Sequence, residues 1–250
     1  MEPEATARIY VGRASLDGNI GRYARSLNLL EVSAERGRHP RRPGLLEWRR
    51  TVGEDFVFSV VLPQPLVALE AGPDADQLLS HAKMVADALG ATWWLLRTPP
   101  TVAPSARATR KLEALVESIR SESRRIAWEP RGVWEESSAL STAAELDVHL
   151  VRDLAREDRL DDDPVVYTRL RALGEGARIG AAAAERVAER LEGVSDACVV
   201  VEGAGAGRVR QVLKEAFGLP EADGEDEESF GEEGDEDLSE EPSVDEDEES

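Results

Sequence analysis

The chain has 250 residues, of which 41% are hydrophobic, and a formal net charge of −21. This apolar content suffices for a sizeable core, its single cysteine excludes an intrachain disulfide, and no apolar run approaches the roughly 18 residues of a membrane-spanning helix. The amino terminus also lacks the apolar centre of a secretion signal, so we expect a cytoplasmic protein that does not contact a membrane.

Short runs of β-branched and bulky apolar residues alternate with amphipathic helical patterns along residues 1–220. In the helical segments apolar residues recur three and four positions apart, as at Leu112, Val116 and Ile119. Eight such βα units in about 220 residues favour a single α/β domain, a (β/α)8 TIM-like barrel, with an open sheet of seven strands as the alternative. The runs predict strands over residues 8–14, 29–34, 56–63, 92–98, 125–131, 148–153, 165–173 and 197–202.

Several bulky side chains within these strands are interpreted as core. Cys198 lies in the apolar run ACVVV, where a buried and unreactive thiol is expected. Trp93, Trp94 and Trp128 are expected to pack between the barrel and its helices rather than to form a substrate platform.

A basic segment, residues 36–50, follows the second predicted strand. Such a patch can meet the phosphates of a nucleic acid. However, 27 of the 30 basic residues of the chain are arginine, which indicates a compositional bias, and nucleic-acid binding is the least favoured of the functional hypotheses. The basic side chains of the segment are Arg36, Arg38, His39, Arg41, Arg42, Arg49 and Arg50.

Charged residues stand at the carboxyl ends of several predicted strands, the end at which barrels build their sites. The clearest case is the fifth strand, whose apolar run ends in Glu129 and Arg131. Converging carboxylates can serve as general acid and base, whereas the alternative is a self-compensating ionic layer that closes the barrel. The candidate catalytic residues are Glu31, Glu129, Asp153, Arg131 and Arg169.

Neither a metal site nor a bound cofactor is predicted. Two or more histidines close to the carboxylates, the usual companions of a metal, are absent, because His149 starts a predicted strand while His39 and His81 fall in a predicted loop and helix. Glycines follow the seventh and eighth strands, where many barrels bind phosphate. The candidate phosphate loop consists of Gly203, Gly205, Gly207 and Arg208, although glycine-rich turns of this kind also serve simply as flexible connections.

Residues 221–250 differ from the rest of the chain. They contain 18 Asp and Glu and no Lys or Arg, so residues 1–220 carry only −3 of the net charge, from 30 basic and 33 acidic residues. A segment with this much charge cannot bury enough apolar surface to offset the conformational entropy that it would lose on folding. We therefore predict a barrel domain over 1–220 and a disordered acidic tail over 221–250. The tail either contacts the basic segment 36–50 or a basic partner, or remains solvated.

The barrel region resembles the YecE-like family, domain-of-unknown-function family 72, whose members are single compact barrels. The resemblance rests on order and spacing of partial motifs: IYVGRAS, YARSLNLLEV, DFVFSVVLP, LLRTPP, RIAWEPRGVW and VVYTRLRALG. Residues that match the family at the strand ends are Glu31, Glu129, Arg131, Asp153, Tyr167 and Arg169.

Departures from the family pattern also fall at strand ends. Gly132 and Arg171 stand where the family has histidines, and Glu202 with Gly203 replaces an asparagine pair. The resemblance therefore implies a divergent barrel protein, and the leading hypothesis is a non-catalytic protein that binds a small anionic ligand. The alternative is a hydrolase or isomerase that acts through the strand-end carboxylates on phosphorylated or sugar-like small molecules, or on phosphodiesters. The residues alone do not decide whether the protein is an enzyme.

Overall fold

A computed structural model describes residues 7–69, 72–159, 162–172 and 178–219. Its strands are β1 (Arg8–Arg13), β2 (Leu29–Ser33), β3 (Val57–Val61), β4 (Trp93–Thr98), β5 (Arg125–Pro130), β6 (His149–Leu150), β7 (Val165–Arg171) and β8 (Asp196–Glu202). Its helices are α1 (Ile20–Ala24), α2 (Arg42–Thr51), α3 (Gln64–Val67), α4 (Ala75–Leu89), α5 (Ala106–Ile119), α6 (Glu136–Glu145), α7 (Ala181–Arg190) and α8 (Ala206–Phe217).

All neighbouring strands pair in parallel, in the order β6-β5-β4-β3-β2-β1-β8-β7. The two edges of this sheet meet, since Arg152 and Thr168 form a parallel bridge and the Arg169 backbone N–H donates to the Arg152 carbonyl at 3.1 Å. The eight strands and their intervening helices thus form a nearly closed TIM-like barrel. The predicted (β/α)8 barrel is confirmed, and the alternative, an open sheet of seven strands, was wrong.

Helix boundaries follow local sequence signals. Ser105 precedes α5, and its hydroxyl accepts a hydrogen bond from the Ala108 N–H at 3.1 Å, as preferred at helix amino termini. Helices α4 and α8 end at Gly90 (φ 58°) and Gly218 (φ 62°), because glycine adopts the left-handed conformation without strain.

Side chains alternate between two apolar layers because successive residues of a strand face opposite sides. Trp94 and Trp128 pack in the outer layer, against the helices, as expected. Trp93 instead lies inside the barrel, with its ring centroid 5.1 Å from that of Tyr167, so the expectation for this residue was wrong. Two adjacent tryptophans of one strand cannot share a face. The prediction of a buried Cys198 is confirmed, and it too lies in the inner layer.

The last described helix returns to the amino-terminal end of the barrel. Its Arg210 donates to the Asn28 side chain, just before β2, at 3.0 Å. The predicted tail, residues 221–250, and its contact with the basic segment lie outside the described residues. In the four ranges that are described, no helix has the length and apolar character needed to cross a membrane.

Candidate functional site

A cavity of about 770 Å³ opens at the carboxyl-terminal mouth of the barrel. The ends of β2, β3, β4, β7 and β8, and the loops after β1, β2, β3, β5 and β8, supply its walls. Its polar and charged lining residues are Ser15, Glu31, Ser33, Glu35, Arg38, His39, Gln64, Arg97, Arg131, Arg169 and Glu202, and its larger apolar ones include Leu16, Trp48, Val61 and Val67. The mouth therefore presents many hydrogen-bonding groups beside a smaller apolar wall.

Arg169 lies at the base of this cavity and binds three glutamates. Its guanidinium donates to both oxygens of Glu31, at 2.9 Å each. One of its terminal nitrogens also lies 2.8 Å from Glu129 Oε2 and 2.5 Å from Glu202 Oε1. The side chains of Arg169, Glu31 and Glu129 are each only 1% exposed. A planar guanidinium suits this role because its five N–H groups lie in a fixed fork.

Glu129 is held by two further arginines. Arg97 donates to one of its oxygens and Arg171 to the other, at 2.6 Å each. Burial acts to raise the pKa of the Glu129 carboxyl, but the charges of Arg169, Arg97 and Arg171 outweigh it, and the pKa is lowered. Glu129 is consequently an ionised acceptor rather than a proton donor at neutral pH.

Tyr167 supports Glu31 from within the barrel. Its hydroxyl donates to Glu31 Oε1 at 2.8 Å and lies 2.8 Å from the Ser59 hydroxyl, from which it can accept. Complete burial, followed by the nearby charge of Glu31, raises the pKa of Tyr167 well above its ordinary value. The phenol is therefore neutral and serves as a donor.

The ionic network described by these contacts is electrically balanced. It contains three glutamates and three arginines, namely Glu31, Glu129, Glu202, Arg97, Arg169 and Arg171. Arg97 and Glu202 each keep 29% of their side-chain surface exposed and Arg171 keeps 39%, so the network has a buried centre and partly exposed outer members. We name these six residues the mouth network. Sequence reasoning had treated Glu202 only as a lost asparagine and had not singled out Arg97.

Asp153, another predicted catalytic residue, is bound elsewhere. Its carboxylate accepts from the Arg156 guanidinium at 2.5 Å, from the Ala155 N–H at 3.1 Å and from the Arg171 N–H at 3.2 Å. These contacts tie the loop after β6 to β7. The structure therefore brings Glu31, Glu129 and Arg169 together but places Asp153 in a turn, and Asp153 is absent from the described lining of the cavity.

Arg131 lies at the rim of the cavity, exposed to solvent. The neighbouring Gly132 has a φ of 91°, and a Cβ there would lie 2.8 Å from the Pro100 Cα. A histidine at this position would thus clash with the double proline after β4. This close approach explains in steric terms why the segment after β5 carries glycine.

Of the candidate phosphate loop, only Gly203 lines the cavity, among the residues described. Gly205 precedes α8 with a φ of 108°, and a Cβ there would come 2.8 Å from the Ile179 carbonyl, so this glycine permits close backbone packing. Gly207 and Arg208 are exposed in the first turn of α8, where Arg208 donates to Gln211 at 3.1 Å. Phosphate binding here stays a prediction, and two of the glycines that follow the seventh predicted strand, Gly174 and Gly176, lie outside the described residues.

The basic segment is divided between the two ends of α2. Residues 36–41 lie in the loop at the mouth, whereas Arg49 lies near the start of β3 and donates to the Phe56 carbonyl at 2.9 Å. The segment also makes a contact that sequence reasoning missed, since His39 Nε2 lies 3.1 Å from Nε2 of His81 on α4. The described residues contain no group of three or more His, Cys, Asp or Glu arranged to hold a metal ion.

The sequence model of a family described as "Protein of unknown function DUF72" matches residues 3–202. No curated protein matches the chain at a significant level. A DUF72 family protein from Enterococcus faecalis V583 is similar with a TM-score of 0.66 and 13% identity, over 87% of this chain and 100% of the other.

Two further solved structures show the same fold. A DUF72 family protein from Thermotoga maritima MSB8 has a TM-score of 0.64 and 16% identity, over 83% of this chain and 98% of the other. A D-allulose 3-epimerase from Methylomonas sp., in complex with D-allulose, has a TM-score of 0.57 and 14% identity, over 86% and 100%. At these identities the likeness concerns the fold alone.

Proposed function

The chain belongs to the DUF72 family of proteins of unknown function, and from that premise we propose that its barrel mouth binds a small, hydroxylated anionic molecule without transforming it. One observation carries the proposal. The buried carboxylates at the base of the cavity are already neutralised by arginines, while a further arginine at the rim is exposed. The mouth network then serves as a rigid floor, and the rim supplies the charge that recognises the ligand.

The state of the carboxylates argues against acid–base chemistry in this arrangement. A general acid or base works best when its pKa lies near the working pH. The pKa of Glu129 is instead lowered, and Arg169 engages both oxygens of Glu31. Releasing either glutamate would require breaking a buried charged pair, which is costly.

The size and charge of the cavity define the ligand class. A volume of about 770 Å³ is typical of small-molecule sites. Its lining carries four arginines against three glutamates, a net charge of +1 with His39 neutral. Arg131 is exposed and lines the cavity, and exposed guanidinium groups bind carboxylates and phosphates in a bidentate manner. Hydroxyls and an amide at Ser15, Ser33 and Gln64 suit a sugar acid or sugar phosphate.

The test is a binding panel on the full chain, read by calorimetry. It consists of sugar phosphates, sugar acids and the matching neutral sugars. We expect at least one anion to bind and its neutral analogue to bind at least about tenfold more weakly, a difference of ~1.4 kcal/mol. Arg131→Gln should produce a similar loss. The matched control is Arg50→Gln, because Arg50 is exposed at the far end of α2. Equal affinities of the Arg131→Gln protein and the wild type would contradict the proposal.

A second candidate function is supported by two carboxylates in the lining of the cavity, the buried Glu31 and the partly exposed Glu202. Glu31 and Glu202 both line it, and both are bound by Arg169. A ligand anion that took over Arg169 would free them for the chemistry of a hydrolase or isomerase of phosphorylated or sugar-like molecules or phosphodiesters. Incubation of any ligand from the panel with the protein, followed by product analysis, separates the two functions. Turnover that Glu31→Gln abolishes would favour the enzyme, and binding without turnover favours the binding protein.

A further inference from the structure

Two of the three histidines of the chain meet at the edge of the barrel mouth, although 42 residues separate them. His39 belongs to the loop between β2 and α2, and His81 lies on α4. Their ring centroids lie 5.2 Å apart with an interplanar angle of 29°, so the two rings meet nearly end to end through their Nε2 atoms. Both side chains are half-buried, so this pair is held by packing on two separate elements.

The tautomer of His39 follows from its second ring nitrogen. His39 Nδ1 lies 2.7 Å from the Pro40 carbonyl oxygen, which can only accept, so Nδ1 carries the proton. In the neutral ring Nε2 then presents a lone pair, and this lone pair faces His81. A backbone carbonyl that fixes one ring nitrogen is also the usual support for a histidine whose other nitrogen binds a metal.

The distance between the two Nε2 atoms suits a shared cation. Imidazole nitrogens bind transition metals at about 2.0–2.1 Å. Two such bonds at angles between about 90° and 109° place the nitrogens roughly 2.9–3.4 Å apart. The observed separation is 3.1 Å. The same separation suits a single N–H···N hydrogen bond, in which His81 Nε2 donates to His39 Nε2.

From this geometry we infer that His39 and His81 form a two-histidine site for a divalent transition metal such as zinc. Binding moves the His81 proton from Nε2 to Nδ1, a change of tautomer that leaves both rings neutral and needs no other reactant. The metal's remaining positions stay open to water or an anion. The histidine pair itself lies between the central cavity, which His39 lines, and an outer groove of about 430 Å³ that His81 lines together with Arg36, Asp76 and Gln77.

This site is separate from the proposed anion site, which depends on Arg131 and the mouth network. It also differs from a closed structural metal centre, because only two protein nitrogens take part. Imidazole ligands select metals such as zinc, copper and nickel over magnesium and calcium. The carboxylates of residues 221–250 instead favour magnesium and calcium. Metal bound by the histidine pair can therefore be told from metal bound by these carboxylates, both by which metal binds and by which substitution weakens the binding.

The test follows the ring signals of the three histidines of the full chain by NMR during titration with zinc chloride. We expect the signals of two histidines to shift together and to saturate at one equivalent, while that of His149 does not move. His39→Gln and His81→Gln should each weaken zinc binding about tenfold or more in calorimetry. His149→Gln is the matched control and should bind as the wild type does, since its imidazole pairs with Asp163 at 2.7 Å.

Three results would overturn the inference. The first is that zinc shifts fewer than two histidine signals, and the second is that it shifts the signal of His149 equally. The third is that zinc binds His39→Gln and His81→Gln as tightly as the wild type. In the first case the two histidines share a hydrogen bond and bind no metal together. In the third case the cation is held by carboxylates alone, and magnesium should then compete with zinc at similar concentrations.

Discussion

At the amino-terminal end of the barrel a single carboxylate, Asp196, accepts hydrogen bonds from Arg8 and Arg125, at 2.8 Å each. At the carboxyl end the stoichiometry is reversed, because the single guanidinium of Arg169 donates to three glutamates. The two clusters also differ in exposure. The side chains of Arg8 and Arg125 are 64% and 41% exposed, whereas that of Arg169 is 1% exposed.

This difference decides what each cluster can do. Exposed ion pairs contribute little, typically between 0 and about 1 kcal/mol, because water and salt screen them. A buried ion pair stabilises a protein little more than apolar side chains of the same volume would. Removing one partner is nevertheless strongly destabilising, because the other charge is left buried without a partner. Substitutions of the arginines in the amino-terminal cluster should therefore cost little stability. The mouth network, in contrast, holds its side chains in fixed positions beneath the cavity.

The largest effect is expected from Arg169→Met. This change leaves Glu31 without its bidentate partner inside the barrel, and we expect a loss of about 3–5 kcal/mol in the free energy of unfolding. Arg125→Met, the matched control at the opposite end, should cost no more than about 1 kcal/mol. Urea denaturation measures both, and equal losses would remove the distinction between the two ends.

Glu129→Gln should destabilise the protein by about 2–3 kcal/mol at neutral pH, because an uncharged amide replaces an acceptor held by three guanidinium groups. The folded-state pKa of Glu129 is lowered, so the unfolded state takes up its proton first as the pH falls. The stabilisation is therefore complete above the ordinary carboxyl pKa of about 4.3 and is lost as the pH falls through the folded value.

The measurement is the difference in unfolding free energy between wild type and Glu129→Gln at several pH values. Residues 221–250 are the same in both proteins, so their titration cancels in the difference. We expect the gap to shrink in acid. A gap that stays constant or widens below about pH 4 would show that the charge of Glu129 does not stabilise the fold.

Tyr167→Phe tests the support beneath the network and should cost about 1.5 kcal/mol, the lower range for a hydrogen bond to a charged group. The effect is smaller than for Arg169 because Glu31 keeps its two bonds to that guanidinium. Tyr23→Phe is a control of the same chemistry, since its hydroxyl bonds two neutral backbone groups, donating to the Leu29 carbonyl and accepting from the Arg13 N–H. Thermal or urea unfolding should show the smaller loss for Tyr23→Phe.

The smallest effect is expected from Arg8→Met, at most about 1 kcal/mol, because Arg8 is largely exposed and Asp196 keeps its bond to Arg125. Sodium chloride at about 0.5 M should reduce this effect further, since salt screens exposed charges. The effect of Arg169→Met should not change with salt. Similar salt dependence of the two variants would indicate that dissolved ions screen the buried Arg169 as well as the exposed Arg8.

Much of the fold could be predicted because strand patterns are local. The predicted strands agree with β1–β5, β7 and β8 to within two residues at either end. The sixth is shorter than expected, at His149–Leu150, since Asp153 turns the chain into a loop instead of extending the strand. The site was less predictable. Glu31, Glu129 and Arg169 do converge, but their partners Arg97 and Glu202 were not recognised as such.

The order of the elements, the family and the end of the barrel where charges gather can all be read from the sequence, because alternation along a strand is set by the chain's own period of two. Which charges meet depends on the tertiary structure. Closure of the sheet brings Glu31 of β2 onto Arg169 of β7, and helix packing brings His39 onto His81. Contacts of this kind depend on curvature and stagger across the barrel, for which no short stretch of sequence carries a signal.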